Sequence, residues 1–410
     1  MSSRTVFDIA IIGGGPAGAT AANWLAQQGY SVALLDKAGR IKPCGGAIPP
    51  RLIRDFDIPD SQIVARINTA RVISPSDKSV DMLIEGGFVG MVDREHFDEW
   101  LRNRAAQSGA IRFNGEFRSI DERASGISTI TARKRSGDLI DAQEQSEADD
   151  SFKIEARVVI GADGARSEVA RQAIPKYKPA PSVFAYHEIV ESPTNRTSPD
   201  MNFDGARCDV VYNGAYSPDF YAWVFPHGNT TSVGVGSAVK GFSLRQATKA
   251  VRSVSGLSEA TTIRREGAPI PLKPLRRWDN GRNVVLAGDA AGVVAPASGE
   301  GIYYAMLTGQ LAAEATAEYL QTGDARALAG ARKKFMRNHG RIFWILRMLQ
   351  HFWYRSDKRR EQFVKICQDK DVQYLTWQSY MHKELAKTGP GVHMRIFLKD
   401  LAHLTGWSRA

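Results

Sequence analysis

The run Gly13-Gly14-Gly15-Pro16-Ala17-Gly18 is the first spacing in this 410-residue chain that can do chemistry. In a GxGxxG turn, Gly13 allows the tight bend and Gly15 lets a pyrophosphate approach the backbone. Gly18 lets a helix pack on the preceding strand, and the free N–H groups of that helix face the phosphates. Asp36 follows at the distance where an acid binds ribose hydroxyls. Together these residues predict a dinucleotide site and leave FAD and NAD both open. A second pattern is apolar. Tyr221, Trp223 and Phe225 alternate with Ala222 and Val224, which predicts three rings on one face of a strand. Such a face serves either as plain core or as the wall of an apolar tunnel.

The elements that must hold these residues are partly legible. Phe7 to Ile12 reads as a strand, Ala19 to Gln28 as a helix and Ser31 to Asp36 as a second strand, a βαβ unit. Segments rich in Thr, Ile and Val, namely Ser128 to Arg133, Lys153 to Ile160, Phe220 to Phe225 and Thr231 to Val235, predict an antiparallel sheet between two pieces of a parallel one. Gly137 to Ser151 is acidic and polar and reads as an exposed loop. From Arg282 an apolar strand leads into Asp289 and a helix beginning near Gly301, so the nucleotide domain is discontinuous. The predicted division is 1–60, 90–175 and 276–330 for nucleotide binding, 61–89 and 176–275 for a substrate-binding antiparallel sheet, and 331–410 for a basic helical region.

Composition narrows the class. No stretch reaches the roughly 18 uncharged apolar residues of a membrane span, and no leading apolar segment is seen. Cys44, Cys208 and Cys367 are too few and too widely spaced for a disulfide framework or a zinc cluster, so no metal is expected and a reducing, cytoplasmic setting is. The net charge of +10 is localised: residues 331–410 hold 17 Lys or Arg against 6 Asp or Glu, leaving 37 against 38 before them. Arg332, Lys333, Lys334, Arg337, Arg341 and Arg347 flank an apolar set with Trp344, Leu349, Phe352 and Trp353. That makeup suits a helix on an anionic membrane surface, or one packed on its own domain with a solvated basic face. No nucleic-acid recognition motif accompanies the charge.

Two further motifs decide between the dinucleotides. Val158-Val159-Ile160-Gly161-Ala162-Asp163-Gly164 and Gly288-Asp289-Ala290-Ala291-Gly292 each end an apolar strand. With the glycine turn, they resemble the large flavoprotein family that includes aromatic hydroxylases and geranylgeranyl reductases. The resemblance implies an α/β fold: a Rossmann-like, aromatic hydroxylase-like FAD-binding domain with an inserted antiparallel-sheet substrate domain and a helical C-terminal region. It also implies FAD contacts from Asp163 and Asp289, from Arg94, and from the loop Pro296 to Ile302 with Gly299, Gly301 and Ile302.

Lys42-Pro43-Cys44-Gly45-Gly46-Ala47 and Phe220-Tyr221-Ala222-Trp223-Val224-Phe225-Pro226 resemble the two signatures of geranylgeranyl reductases. The likeness runs from about Val6 to about Glu318 and is greatest for the bacteriochlorophyll branch. It implies that Cys44, Gly45, Gly46 and Ala47 adjoin the flavin, and that Tyr221, Trp223 and Phe225 line a prenyl tunnel. The implied substrate is a geranylgeranyl-bearing pigment or geranylgeranyl diphosphate, reduced at three of its four double bonds with NADPH as transient electron source. An isolated alkene has no carbonyl to polarise it, so hydride addition needs a proton donor. The resemblance suggests Cys44, with His187, Glu188 and Tyr221 as other candidates. An archaeal-type prenyl-lipid reductase and an aromatic-ring hydroxylase share parts of the pattern.

Overall fold

The computed structural model describes residues 6–37, 41–84, 87–122, 126–134, 150–193 and 202–383. The polar stretch Gly137 to Ser151 lies almost wholly outside them. The chain divides into two compact units.

The first unit comprises Met1–Lys42, Arg94–Ser182 and Pro269–Phe343. Its sheet has a parallel core in the order Ile111–Glu122, Val32–Asp36, Val6–Ile12, Ser151–Gly161, Val284–Leu286. Ile9 stands between Val32 and Val158 and is fully buried. Strands covered on both faces read as continuous apolar runs, which explains VFDIAII and VVI. Ile111–Glu122 and Ser151–Gly161 outrun their parallel neighbours, and Ser128–Lys134 fills the gap antiparallel to both, with Ile130 opposite Ile120 and Ile154. These strands belong to the nucleotide sheet, within the 90–175 segment expected for that domain, and only the antiparallel strand Ser128–Lys134 interrupts its parallel order.

The first helix, Pro16–Gln27, starts with Pro in its first turn, where the missing N–H costs nothing. It lies against a long helix, Ile302–Thr322, so closely that a Cβ added to Gly309 would sit 2.1 Å from the Ala17 carbonyl oxygen.

The second unit comprises Pro43–Asp93, Val183–Ala268 and Trp344–Ala410. Its seven-stranded sheet runs Thr262–Pro271, Ser182–Glu191, Thr230–Ser237, Ala222–His227, Arg207–Val211, Thr69–Ile73, Ser79–Leu83. Arg207–Val211 pairs in parallel with Thr69–Ile73, while the pairings from Ser182–Glu191 to Arg207–Val211 are antiparallel. One face of this sheet packs Val190, Val211, Ala222, Val224, Val233 and Val235 against Ala247 and Val251 of the helix Leu244–Val254.

The division differs from the expected one by a few residues at several boundaries and by more in two places. Residues 43–60 join the second unit because Ala47–Ile48 pairs with Val89–Met91. The C-terminal region is not separate. Its helix Ala329–Trp353 serves the first unit up to Phe343, where Phe335 and Phe343 pack around Tyr304. Beyond it, Trp353 and Tyr354 are buried beside Phe363 of the helix Asp357–Ile366. Of the predicted apolar set Trp353 is buried, Leu349 and Phe352 are half-buried, and Trp344 is exposed at 66%, with Met348 beside it at 48%.

Candidate functional site

In the first unit several of the residues expected to hold the cofactor lie close together. Gly13 has φ +104°, and a Cβ there would lie 2.4 Å from the Ala162 carbonyl oxygen, so any L side chain is excluded by conformation and by space. That approach joins the glycine turn to Ala162 and Asp163. Ala17 sits 2.9 Å from where a Gly288 Cβ would be, and a Gly301 Cβ would be 3.8 Å from Asp289 Oδ1. Gly13, Ala17, Asp289 and Gly301 are thereby neighbours. The Asp289 carboxylate, nearly buried, pairs with Lys42 Nζ at 2.7 Å.

These residues fit FAD. A Cβ built on Gly15 meets nothing within 4 Å, so open space lies before the first helix. Pro16–Gln27 and Ile302–Thr322 both begin on glycine N-caps, Gly15 and Gly301, with no side-chain cap. With glycine at each N-cap no side chain competes for the positive dipole end, which favours an anion. The Gly299 N–H donates to the Ala295 carbonyl at 2.9 Å, closing the loop that precedes Ile302.

Asp36 Oδ2 accepts from Arg102 Nη1 at 3.0 Å, and the same Nη1 reaches the Gly14 carbonyl at 3.3 Å. Burial raises the Asp36 pKa, and Arg102 offsets this only in part. Arg94 is buried and grips Asp98 with Nε and Nη2 at 2.8 and 2.6 Å. Asp163 accepts from Ser167 Oγ and from the N–H groups of Glu168 and Val169, so its carboxylate serves the start of the helix Glu168–Ala173. Burial nonetheless holds its pKa above the ordinary value.

In the second unit the aromatic row forms as the alternation predicts. Ring centroids are 6.1 Å apart for Tyr221 and Trp223 and 6.3 Å for Trp223 and Phe225. Ala222 and Val224 face the other way, into the valine layer. The neighbouring strand presents Ser232, Gly234 and Gly236 to the row. A Cβ on Gly234 would come within 2.3 Å of Trp223, and one on Gly236 within 2.6 Å of Phe220; the missing side chains let the rings lie against the sheet.

Trp223 Nε1 donates to Ser232 Oγ at 3.0 Å, and His187 Nδ1 shares that hydroxyl at 2.9 Å. His187 Nε2 is 3.1 Å from Glu266 Oε2, outside hydrogen-bond geometry. Tyr221 stacks on Phe220 at 4.3 Å. Phe225 lies apart from that stack, against Gly45 and the cluster of Ile67, Met91 and Cys208. Gly45, Gly46 and Ala47 run beneath Phe225 and His227, and Ala47 pairs with Met91.

Glu188 faces the opposite side of the sheet. It accepts from Arg252 at 2.6 Å, Arg265 at 3.2 Å and Tyr186 at 3.0 Å. Burial works to raise its pKa, but these donors outweigh burial and the net shift is down. A carboxylate so held is a poor proton donor.

Residues 7–199 match the pyridine nucleotide-disulphide oxidoreductase family. The chain is 54% identical over 400 residues to a geranylgeranyl diphosphate reductase of Rhodobacter capsulatus, covering 98% of each. It is 35% identical to the chloroplastic geranylgeranyl diphosphate reductase of Arabidopsis thaliana, over 97% of this chain and 85% of that one. The chain belongs to the geranylgeranyl diphosphate reductase family. A crystal structure of a geranylgeranyl bacteriochlorophyll reductase-like protein from Thermoplasma acidophilum matches 94% of the chain with a TM-score of 0.78 at 22% identity. That likeness shows the shared α/β FAD-binding fold.

Three residues of this family member escaped the sequence reading. Arg102 lies on the helix Arg94–Gln107 at the spacing 94, 98, 102, a four-residue rhythm that sets charges on one face. Lys42 stood inside the quoted loop signature without a role. His227 continues the parity of Tyr221, Trp223 and Phe225 by one more step. Among the described residues no group of three metal-ligating side chains occurs and no helix is long and apolar enough to cross a membrane.

Proposed function

We propose that the protein is an FAD-dependent reductase that saturates three of the four double bonds of a geranylgeranyl chain. The chain is carried on bacteriochlorophyll or chlorophyll, or as the diphosphate. The observation that carries this reading is the row of Tyr221, Trp223 and Phe225 over a glycine-bearing strand, in a chain of this family. An isoprenoid offers a site little besides apolar surface, about 0.8 kcal/mol per buried CH₂, and an aromatic wall supplies the matching surface while excluding water.

FAD, when bound, supplies the hydride, and NADPH is the proposed reductant. The chain's own residues do the rest. The turns at Gly15 and Gly301 hold phosphate and flavin charge, Asp36 with Arg102 holds the ribose, and an acidic side chain provides the proton that completes each CH–CH bond. Cys44 is the proposed donor. It is the partly exposed cysteine, whereas burial pushes the Cys367 thiol up to about 12 and the Cys208 thiol higher still. A Cys44→Ala variant with full FAD occupancy that still reduces the alkene would remove the thiol from the mechanism.

The test of the whole reading is anaerobic turnover with NADPH and either geranylgeranyl diphosphate or the pigment ester, followed by mass spectrometry. Products should gain two hydrogens in successive steps, three times. Absence of any such product with either substrate, despite bound and reducible FAD, sinks the proposal.

A peripheral membrane location belongs to the same reading. Exposed Trp344 and Met348 lie one turn apart, flanked by exposed Arg341 and Arg347, a combination that inserts apolar groups beneath anionic headgroups. Flotation with anionic liposomes at low salt should recover the protein, and Trp344→Ser should reduce the recovery; wild-type protein left at the bottom ends this part.

A further inference from the structure

The peptide between Gly45 and Gly46 is held at both ends by its own unit. Its carbonyl, on Gly45, lies 3.1 Å from His227 Nε2. Its N–H, on Gly46, points to Cys44 Sγ at 3.4 Å. The next carbonyl, on Gly46, accepts from the Val92 N–H at 2.9 Å. A carbonyl oxygen only accepts, so His227 Nε2 carries the ring proton and donates it. The ring is also packed in place: a Cβ on Gly46, whose φ is +72°, would meet His227 Cε1 at 2.4 Å and the Val92 carbonyl oxygen at 2.5 Å.

A peptide plane has two faces, and rotating this one by half a turn would replace the N–H at the sulfur by a carbonyl. The hydrogen bond from His227 selects between the two orientations. We propose that His227 is a positioning residue that fixes the Gly45–Gly46 peptide so that its N–H is presented to the Cys44 sulfur. The strand Ala222–His227 thus carries two tasks on one face, the aromatic row and the anchoring of the glycine loop, with Phe225 against Gly45 and His227 against Gly46. Burial keeps the imidazole neutral, pushing its pKa down to about 4, so the tautomer that donates to Gly45 persists at neutral pH.

The inference rests on the proposed reductase only in giving Cys44 a part in the reaction; the geometry of the loop is independent of it. The test therefore reads the thiol and not turnover. Cys44 is the partly exposed cysteine and the other two are buried, so iodoacetamide alkylation followed by peptide mass spectrometry reports Cys44 in the FAD-loaded protein without substrate.

His227→Gln keeps an amide donor within reach of the Gly45 carbonyl and should alkylate within about twofold of wild type. His227→Leu loses the donor and should change the alkylation rate by about tenfold, the scale of one hydrogen bond to a charged sulfur. If the Leu variant does not fold, His227→Asn, whose amide is too short to reach the carbonyl, takes its place with the same expectation. Equal rates in wild type and in a folded Leu or Asn variant overturn the proposal. So does a Gln variant that behaves as the Leu variant does. Prenyl turnover, measured separately, decides the reductase reading without touching this one.

Discussion

The two units are built from different materials. In the first, the proposed cofactor site is mostly backbone: glycines at 13, 15 and 301, two helix starts without a side-chain cap, and side chains that mostly neutralise one another, as Arg102 does with Asp36, Arg94 with Asp98 and Lys42 with Asp289. In the second, the proposed substrate residues are side-chain surface, and the glycines at 234 and 236 matter for the room they leave to rings. A charged cofactor needs directed N–H groups and balanced charge. A greasy chain needs area, and on the proposed function the difference between the units is the difference between those two ligands.

The largest effect that would sharpen this contrast is expected at Gly13. Gly13→Ala forces a side chain into φ +104° and within 2.4 Å of the Ala162 carbonyl, a strain and overpacking penalty together of about 2 to 4 kcal/mol. FAD titration should show affinity lost by more than about a hundredfold. Gly234→Ala should come next. Its Cβ would strike Trp223 at 2.3 Å and the Cβ of His187 at 2.5 Å, costing about 1 to 3 kcal/mol by overpacking, with prenyl turnover reduced and FAD affinity within about twofold of wild type. Should both variants lose cofactor and turnover in the same proportion, the division of labour between the units is wrong.

The same contrast explains how much could be read beforehand. The strand, glycine turn, helix and second strand ending at Asp36 were legible because such a unit is local, fixed within about thirty residues of chain. The alternation Tyr221, Trp223, Phe225 gave a face, and the structure shows that face, with Ala222 and Val224 turned to the opposite layer. The partners of the face were not legible, since Gly234 and His187 reach it through sheet register. For the same reason residues 43–60 were expected in the other unit. Arg102 meets Asp36 across 66 residues; only its helical rhythm with Arg94 and Asp98 hinted at it.

A smaller effect is expected where the first unit balances charge. Arg102→Gln leaves the Asp36 carboxyl buried with its main counter-charge gone. Burial already raises that pKa, so the variant carboxyl is protonated over a wider pH range and accepts ribose hydroxyls less well. FAD affinity should fall by about tenfold at pH 7, equivalent to about 1.4 kcal/mol. The loss should shrink as the pH is raised and the carboxylate returns. A pH-independent loss would assign Arg102 to the Gly14 turn and not to Asp36.

The smallest effect concerns His227 and works in the second unit alone. The groups that set its pKa are, besides burial, the Gly45 carbonyl and Asp93, which favour the charged ring, and His187 and Arg264, which oppose it. The folded value of about 4 lies below the unfolded value of about 6.5, so the unfolded chain binds the proton more tightly. Stability linked to His227 is then present in full above about pH 6.5 and is lost as the pH falls toward 4. Thermal melting between pH 7 and pH 4.5 should therefore decline more steeply in wild type than in His227→Gln, which has nothing to protonate at that position. Carboxylates such as Glu188 and Glu266, whose pKa values are lowered, lose their contribution only as the pH falls below about 4.5, and do so in both proteins. Parallel melting curves across that window would mean that the ring is hydrated in the native state, and that its hold on the glycine loop is looser than a 3.1 Å contact implies.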